Sequence, residues 1–415
     1  MSLNNDYIFI LGRYPDLSKK EIFSILEKLK VKSETIATND QVLVISTKQL
    51  LDINSLNKTL GGTVKIGRAV SSLPSPTSQN QLSDYFTSDA LFIDILDDVT
   101  EKVTFGISYY SERGIEDKGM TYKLTTLTRL IKSHLEAQGF KVRYPKLEGT
   151  ALSSASVGKN KLLTQGAEIL LIQTKDALLV GKTLAVQEFE SFSKRDYGRP
   201  NRDMDSGIMP PKIARMMINL TESNKDAKFL DPFCGSGTIL QEALILGYSD
   251  VTGTDISEKA VADSKKNLTW LRQREPSLAE VDIRCVDVLK LEEVYEHESF
   301  DAVVGEPYMG PNYQERPLLS VMQKNRDELE LFYPAALEVL AHILKPGGTI
   351  VMILPIFHSG NHYLHMDISA KINTLGLKQI PLSENKRQSI TIGNNYDFVL
   401  REIIKFKKEP IPLSF

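Results

Sequence analysis

The sequence predicts an α/β protein. Its C-terminal half is a doubly wound, mostly parallel sheet with an antiparallel last strand, and a smaller α+β region precedes it. Three observations carry this. Residues 208–415 alternate strand-like apolar runs with amphipathic helical ones. A glycine-bracketed turn, DPFCGSGT, starts at Asp231 and joins the first of these strands to the first helix. Near the C-terminus, QSITIG and DFVLREIIKF flank Gly393-Asn394-Asn395, which predicts a hairpin and an antiparallel edge on the sheet.

The elements follow in order. Tyr7 to Leu11 is an apolar strand, and Ser18 to Glu21 has the form of a capping box opening a helix whose inner face carries Ile22, Ile25 and Leu26. The Pro- and Ser-rich stretch SSLPSPTSQNQ (71–81) predicts a linker. FIDIL and VTFGISYY then predict strands, and KLTTLTRLIKSHLEAQGF a helix ending at Gly139. KVRY, AEILLIQ and DALLVGKTLAV give three more strands around a turn and helix, SSASVGKNKLLTQ. A polar, poorly periodic stretch, 193–207, separates this module from the last domain. There, Lys228 to Asp231, DVTGTD, VDIRCVD, FDAVVGE and LKPGGTIVMILP are strands, alternating with helices such as GTILQEALILG and LELFYPAALEVLAHIL. The predicted organisation is an N-terminal ferredoxin-like α+β domain (1–80), a second α+β domain (85–192), a linker (193–207) and an α/β domain (208–415).

Composition narrows the function classes. A chain of 415 residues with 41% hydrophobic and 25% charged residues suits a soluble protein of two or three domains. No apolar run reaches the roughly 18 residues of a membrane span, and the N-terminus lacks a basic leader, so no membrane partner and a cytoplasmic location are expected. Two cysteines, Cys234 and Cys285, make neither a disulfide framework nor a zinc site, and six histidines show no metal-ligand spacing; no metal is expected. Net charge is −3, yet residues 101–200 hold 16 Lys or Arg against 11 Asp or Glu. A basic region in an acidic chain is the footprint of phosphate contact. Lys159, Asn160 and Lys161, with Lys194, Arg195 and Arg199, are candidate phosphate anchors.

The DPFCGSGT turn is the most informative motif. Gly235 and Gly237 allow close backbone approach to a ligand, and the helix that follows exposes free amides. The next strand ends at Asp255, 24 residues after Asp231, where a carboxylate can accept both hydroxyls of a ribose. A third strand ends at Asp287, within reach of an adenine amino group. Strand-end aspartates that merely cap helices are the bland alternative. A nicotinamide enzyme is a nearer rival, but its third glycine is missing here. An aspartate before Pro-Phe-Cys-Gly suits a cofactor with an ammonium and a sulfonium.

DPFCGSGT resembles the first motif of class I amino-methyltransferases acting on RNA. RDYGRPNRDMDSGIMPPKIARMMINL (195–220) resembles the segment preceding it in THUMP-domain tRNA guanosine-N2 methyltransferases. The stretch from FGISYY to SKRDYGRP is similar to a THUMP domain, and YIFILGRYPDLSKKEIFSIL to the N-terminal region of that family. The resemblance is collinear over nearly the whole chain. It implies a Rossmann-like class I methyltransferase domain after a region containing a THUMP module, S-adenosylmethionine as cofactor, tRNA as partner and a monomer. The implied cofactor residues are Met209, Pro210 and Pro211 at the methionine end, then Pro232, Ser236 and Thr238 with Asp231, Gly235 and Gly237. Asp255 with Ile256 and Asp287 with Val288 complete the set.

The implied activity is methyl transfer to the exocyclic N2 amine of a tRNA guanosine. In that family an Asp or Asn followed by Pro-Pro-Tyr or Phe closes the fourth strand. Here VVGEPYMGP (303–311) matches at Pro307 and Tyr308, while Gly305 replaces the acid or amide and Glu306 the first proline. Tyr308 is placed to stack on a base. A one-residue shift turns a side chain differently, so Glu306 does not simply inherit the role. Two other readings stay open: an adenine-N6 methyltransferase on RNA or DNA, and an RNA-binding protein with a degenerate methyltransferase domain.

Overall fold

The computed structural model describes residues 5–88, 95–96, 101–111, 118–202, 209–394 and 396–409. They form two compact units, Met1–Lys19 with Leu29–Glu190 and Lys20–Lys28 with Ser191–Phe415.

The first unit is built on β1 (Asn5–Leu11), β2 (Ser33–Thr38), β3 (Val42–Thr47), β4 (Thr63–Pro74), β5 (Lys102–Tyr110), β6 (Lys141–Arg143), β7 (Gly166–Gln173) and β8 (Ala177–Val186). They join in a single mixed sheet of order β2-β3-β1-β4-β8-β7-β5-β6. The helices are α1 (Pro15–Lys28), whose Lys20–Lys28 part counts with the second unit, α2 (Ile53–Thr59), α3 (Gln79–Phe86), α4 (Lys118–Ala137) and α5 (Ser154–Lys159).

Two local expectations change. Helix α1 starts at Pro15 rather than at Ser18, because proline's fixed φ suits the first helical position. The Ser18 hydroxyl instead donates within the fold, to the carbonyls of Tyr14 and Gly62. The stretch 71–81 is not a linker. Ser71 to Pro74 complete β4, antiparallel to β8, and Ser78 with Gln81 forms the capping box that opens α3. Strand pairing with β8 overrides the local turn composition there. Most of FIDIL lies outside the described residues.

A buried polar network ties β4 to the strands that follow it in sequence. Glu168 on β7 is fully buried and accepts from Lys65 Nζ, from Ser108 Oγ (2.6 Å) and from Thr183 Oγ1 (2.7 Å). Lys65 Nζ also donates to the Leu152 carbonyl, 2.6 Å away. Burial pushes the Lys65 pKa down and the Glu168 carboxylate opposes that shift. Glu168→Leu therefore strands a buried ammonium. It is expected to cost about 3–5 kcal/mol, read as a lower denaturant midpoint with an unchanged slope.

In the second unit, α6 (Phe189–Tyr197) and α7 (Pro211–Leu220) precede β9 (Lys228–Asp231), α8 (Thr238–Ile245), β10 (Asp250–Asp255), α9 (Glu258–Arg272) and β11 (Val281–Cys285). Then follow β12 (Phe300–Gly305), α10 (Leu319–Ile343), β13 (Leu344–Ser359), β14 (His362–Leu364), β15 (Leu377–Gln379), β16 (Ile390–Ile392) and β17 (Val399–Lys408). Residues 193–197 of the stretch read as a linker are thus helical, and residues 203–208 lie outside the described residues.

The sheet runs β11-β10-β9-β12-β13-β17-β15, with β9 to β13 parallel and β17 antiparallel to both its neighbours. The predicted hairpin forms, with β16 on β17 and Ile392 opposite Arg401; Asn395 of its turn lies outside the described residues. The antiparallel strand is inside the sheet rather than at its edge, because β15 covers its far side. Strand β13 is buried along nearly its whole length, and Tyr333, Leu337 and Leu340 of α10 pack in the same core. Among the described residues no helix is long and apolar enough to cross a membrane.

Candidate active site

The site collects at the C-terminal ends of four neighbouring strands, β11, β10, β9 and β12. Chain leaving β9 turns through Gly235 (φ +49°) and Gly237 (φ +82°), conformations in which a side chain is strained. A Cβ on Gly237 would also lie 2.4 Å from Ser264 Oγ of α9. Asp255, ending β10, holds this turn: its Oδ2 accepts from the Gly235 amide and its Oδ1 from the Ser257 amide, each at 2.9 Å. Asp287, two residues beyond β11, accepts from the Leu289 amide at 3.0 Å. Both aspartates do cap turns, as the bland reading expects, yet each carboxylate keeps further lone pairs for a ligand. Ile256 projects beside Asp255 with 70% of its surface exposed, whereas Val288 is buried.

Asp231 differs from these two. It is 1% exposed; its Oδ1 accepts from the Phe233 amide at 3.1 Å, and its Oδ2 has no partner. Burial pushes its pKa well above the usual carboxylate range, with Asp255 and Glu306 adding to the shift and the Phe233 amide opposing it. A buried carboxylate with one empty oxygen, flanked by two more carboxylates, is built to receive a cation. That fits an ammonium or sulfonium group.

At the end of the fourth strand, Gly305 and then Glu306 stand where an acid or amide and a proline were expected. A Cβ on Gly305 would lie 3.0 Å from Phe233 Cδ2 and 3.3 Å from Pro232 Cδ, so a side chain there would press on the glycine turn. Gly305 thus serves close approach. Glu306 lies near enough to Asp231 to act on its charge, and its Oε1 accepts from Arg401 Nε of β17 at 2.6 Å. Behind the loop, Tyr333 of α10 is fully buried and donates its hydroxyl to the Tyr308 carbonyl at 3.1 Å. The Tyr308 ring remains 63% exposed, free to meet a flat partner.

Two predicted RNA anchors are elsewhere than expected. Arg195 and Arg199 are 5% and 3% exposed and are not surface cations. Arg195 Nε pairs with Glu242 Oε1 at 2.5 Å, and Arg215 Nε donates to Glu242 Oε2 at 2.8 Å. Arg199 donates to Thr238 Oγ1, at the start of α8. A sequence cannot distinguish such arginines from solvated ones, because the partner carboxylate lies on another helix. Lys194 of α6 is exposed. Asn267 of α9 bonds Asn201 at both its amide and its carbonyl and also the Ser236 carbonyl, fixing segment 199–201 against the turn. Pro210 caps α7, Pro211 opens it, and Met209 is buried beside them.

In the first unit, Lys159, Asn160 and Lys161 come together with Lys132, Arg143 and Tyr144 around an open cavity of about 600 Å³. The last three were missed in sequence because α4 and β6 bring them in from 15 or more residues away. Among the described residues no cluster of His, Cys, Asp and Glu could hold a metal ion.

A mostly parallel sheet with an antiparallel strand before its last, a glycine turn after its first strand in sequence and acidic residues at successive strand ends define a Rossmann-like methyltransferase domain. Residues 199–366 match the UPF0020 family model, described as an RMKL-like methyltransferase domain, so a domain of that family is present in the chain. A second model, N6_N4_Mtase, described as DNA methylase, matches residues 115–266.

Among curated proteins, the tRNA (guanine(10)-N2)-dimethyltransferase of Pyrococcus abyssi is 23% identical over 352 residues, 84% of this chain and 88% of that protein. The enzyme of the same name from Methanothermobacter thermautotrophicus is 31% identical over 193 residues, 46% of this chain and 50% of its own. Among solved structures, TrmN from Thermus thermophilus aligns with a TM-score of 0.55 at 14% identity, over 97% of this chain and 99% of its own. SMU.472, a putative methyltransferase complexed with SAH, aligns at 0.52 and 14%, over 99% and 100%. Both likenesses establish the fold.

Proposed function

We propose that this protein transfers a methyl group from S-adenosylmethionine to the exocyclic N2 amine of a guanosine in tRNA. The observation that carries the reading is Glu306, an ion-paired carboxylate at the fourth strand end beside the Asp231 turn, followed by an exposed tyrosine. The curated relatives bear the name of this activity, one of them along most of its length.

Asp231 would hold the positive charge of the cofactor's amino-acid end, Asp255 the ribose, and Ile256, Asp287 and Val288 the adenine. When bound, S-adenosylmethionine supplies an electrophilic methyl group on a sulfonium. The guanine amine is a poor nucleophile because its lone pair is delocalised into the ring. Glu306 and the Pro307 carbonyl accept its two N–H bonds and draw the nitrogen towards tetrahedral geometry. Tyr308 stacks on the base, which must leave its own stack first. Arg401 and Tyr333 fix the loop, so the residues act chiefly by positioning.

In this reading residues 85–192 are the THUMP RNA-binding domain, and the basic cavity around Lys159, Asn160 and Lys161 anchors RNA phosphates without reading sequence. A tRNA substrate goes with a cytoplasmic location. The test is mass spectrometry of nucleosides from tRNA incubated with the full chain and labelled cofactor. N2-methylated guanosine is the expected product. The match to a DNA methylase model favours adenine N6 as a second reading, and methyladenosine in the same digest would select it. Cofactor binding with no labelled nucleoside would leave a degenerate methyltransferase domain.

A further inference from the structure

Arg199 is a buried charge of the second unit left largely unsatisfied. Its guanidinium lies 3% exposed with one hydrogen bond, to Thr238 Oγ1, while Nε and Nη2 have no partner. The neighbouring acid cannot serve it: Glu242 spends one carboxylate oxygen on Arg195 and the other on Arg215. Asp196 acts on Arg199 only through its charge and is itself pushed up by burial. The buried Arg195, Arg199 and Arg215 thus outnumber the carboxylates beside them, the buried Glu242 and the half-buried Asp196.

Position gives that charge a direction. Thr238 is the first residue of α8, whose free amides and dipole also favour an anion. The helix follows directly on the glycine turn, and segment 199–201 is laced to that turn through Asn267 and Ser236. At the turn's other end sits Asp231, a buried carboxylate waiting for a cation. An orphaned acceptor and a set of orphaned donors at opposite ends of one short loop form a receptor for a zwitterion.

We infer that Arg199, with Thr238, binds the carboxylate of the cofactor's methionine moiety, while Asp231 takes its ammonium end. This rests on the S-adenosylmethionine reading above. Arg199 thereby moves from a predicted RNA contact to a cofactor-specificity residue. A guanidinium suits the task because its planar fork meets a carboxylate with two parallel bonds, which no lysine reproduces.

The test is calorimetric titration of the full chain with S-adenosylhomocysteine and with its decarboxylated analogue. The native protein is expected to prefer the first by about 10- to 100-fold. In Arg199→Gln that preference collapses, because affinity for S-adenosylhomocysteine falls while affinity for the analogue holds; Arg199→Lys is intermediate. Unchanged melting without ligand shows that the variants fold, and the native preference tests the inference even if they do not. Equal native affinity for the two ligands, or an undiminished preference in folded Arg199→Gln, overturns the assignment. A native protein that binds neither ligand instead sinks the cofactor reading, and the Arg199 assignment with it.

Discussion

Glu306→Gln is expected to lower methyl transfer to tRNA by about 10²- to 10³-fold, with affinity for S-adenosylhomocysteine changed less than about threefold. Glutamine keeps the length of the side chain and one carbonyl acceptor. What it loses is the charge that polarises the amine and the ion pair with Arg401. An acceptor that matters only when the amine begins to react should affect turnover rather than cofactor binding. Arg401→Gln should move turnover the same way but less, since the carboxylate stays and only its orientation relaxes. Tyr308→Ala should instead raise KM for tRNA, because an exposed ring contributes stacking. Full activity in both Glu306→Gln and Tyr308→Ala would remove this loop from the chemistry.

The sequence raised the question of Glu306 but held nothing that bears on its surroundings. Glycine at 305 reads as a lost acid when the motif is laid out in a line. In the fold it is the position where a Cβ would press closely on Pro232 and Phe233, so a side chain there would require those rings to give by a few tenths of an ångström. Arg401 could not be paired with Glu306 in advance, since it comes from β17, 95 residues later. No local pattern announces it. Asn267 and Tyr333 are equally silent, as ordinary residues of helices whose roles exist only through what they face.

What was legible was local. Strand ends at Asp231 and Asp255 coincide with the predicted ones, because an apolar run closed by an acid and a glycine turn has few alternative conformations. The hairpin at Gly393 was legible for the same reason. Misreadings came where tertiary contact outweighed composition: 71–81 became strand and helix once β8 was available to pair, and Arg195 and Arg199 went inside once Glu242 and Thr238 stood beside them.

Asp231→Asn should separate binding from stability in opposite directions. Its carboxylate is buried with one oxygen unpartnered, and burial, Asp255 and Glu306 all raise its pKa. A carboxyl whose folded pKa stands above the unfolded value near 3.8 is fully tolerated below that value. Between the unfolded and folded pKa values the native state holds more protons than the unfolded one, so stability falls as pH rises through that window. Above it the ligand-free domain carries the whole penalty. Asparagine keeps the acceptor for the Phe233 amide and removes the charge. The ligand-free variant should therefore be more stable at neutral pH by about 1 kcal/mol, a rise in Tm of roughly 2–4 °C, with the pH dependence flattened. Cofactor binding should move the other way and weaken at least about thirtyfold, because the cation it meets loses its buried counter-charge. Scanning calorimetry across pH, with and without S-adenosylhomocysteine, reads both effects in one experiment. A variant less stable than the native protein at neutral pH, yet binding the ligand equally well, would mean that Asp231 is a structural residue of the turn rather than the cofactor's counter-ion.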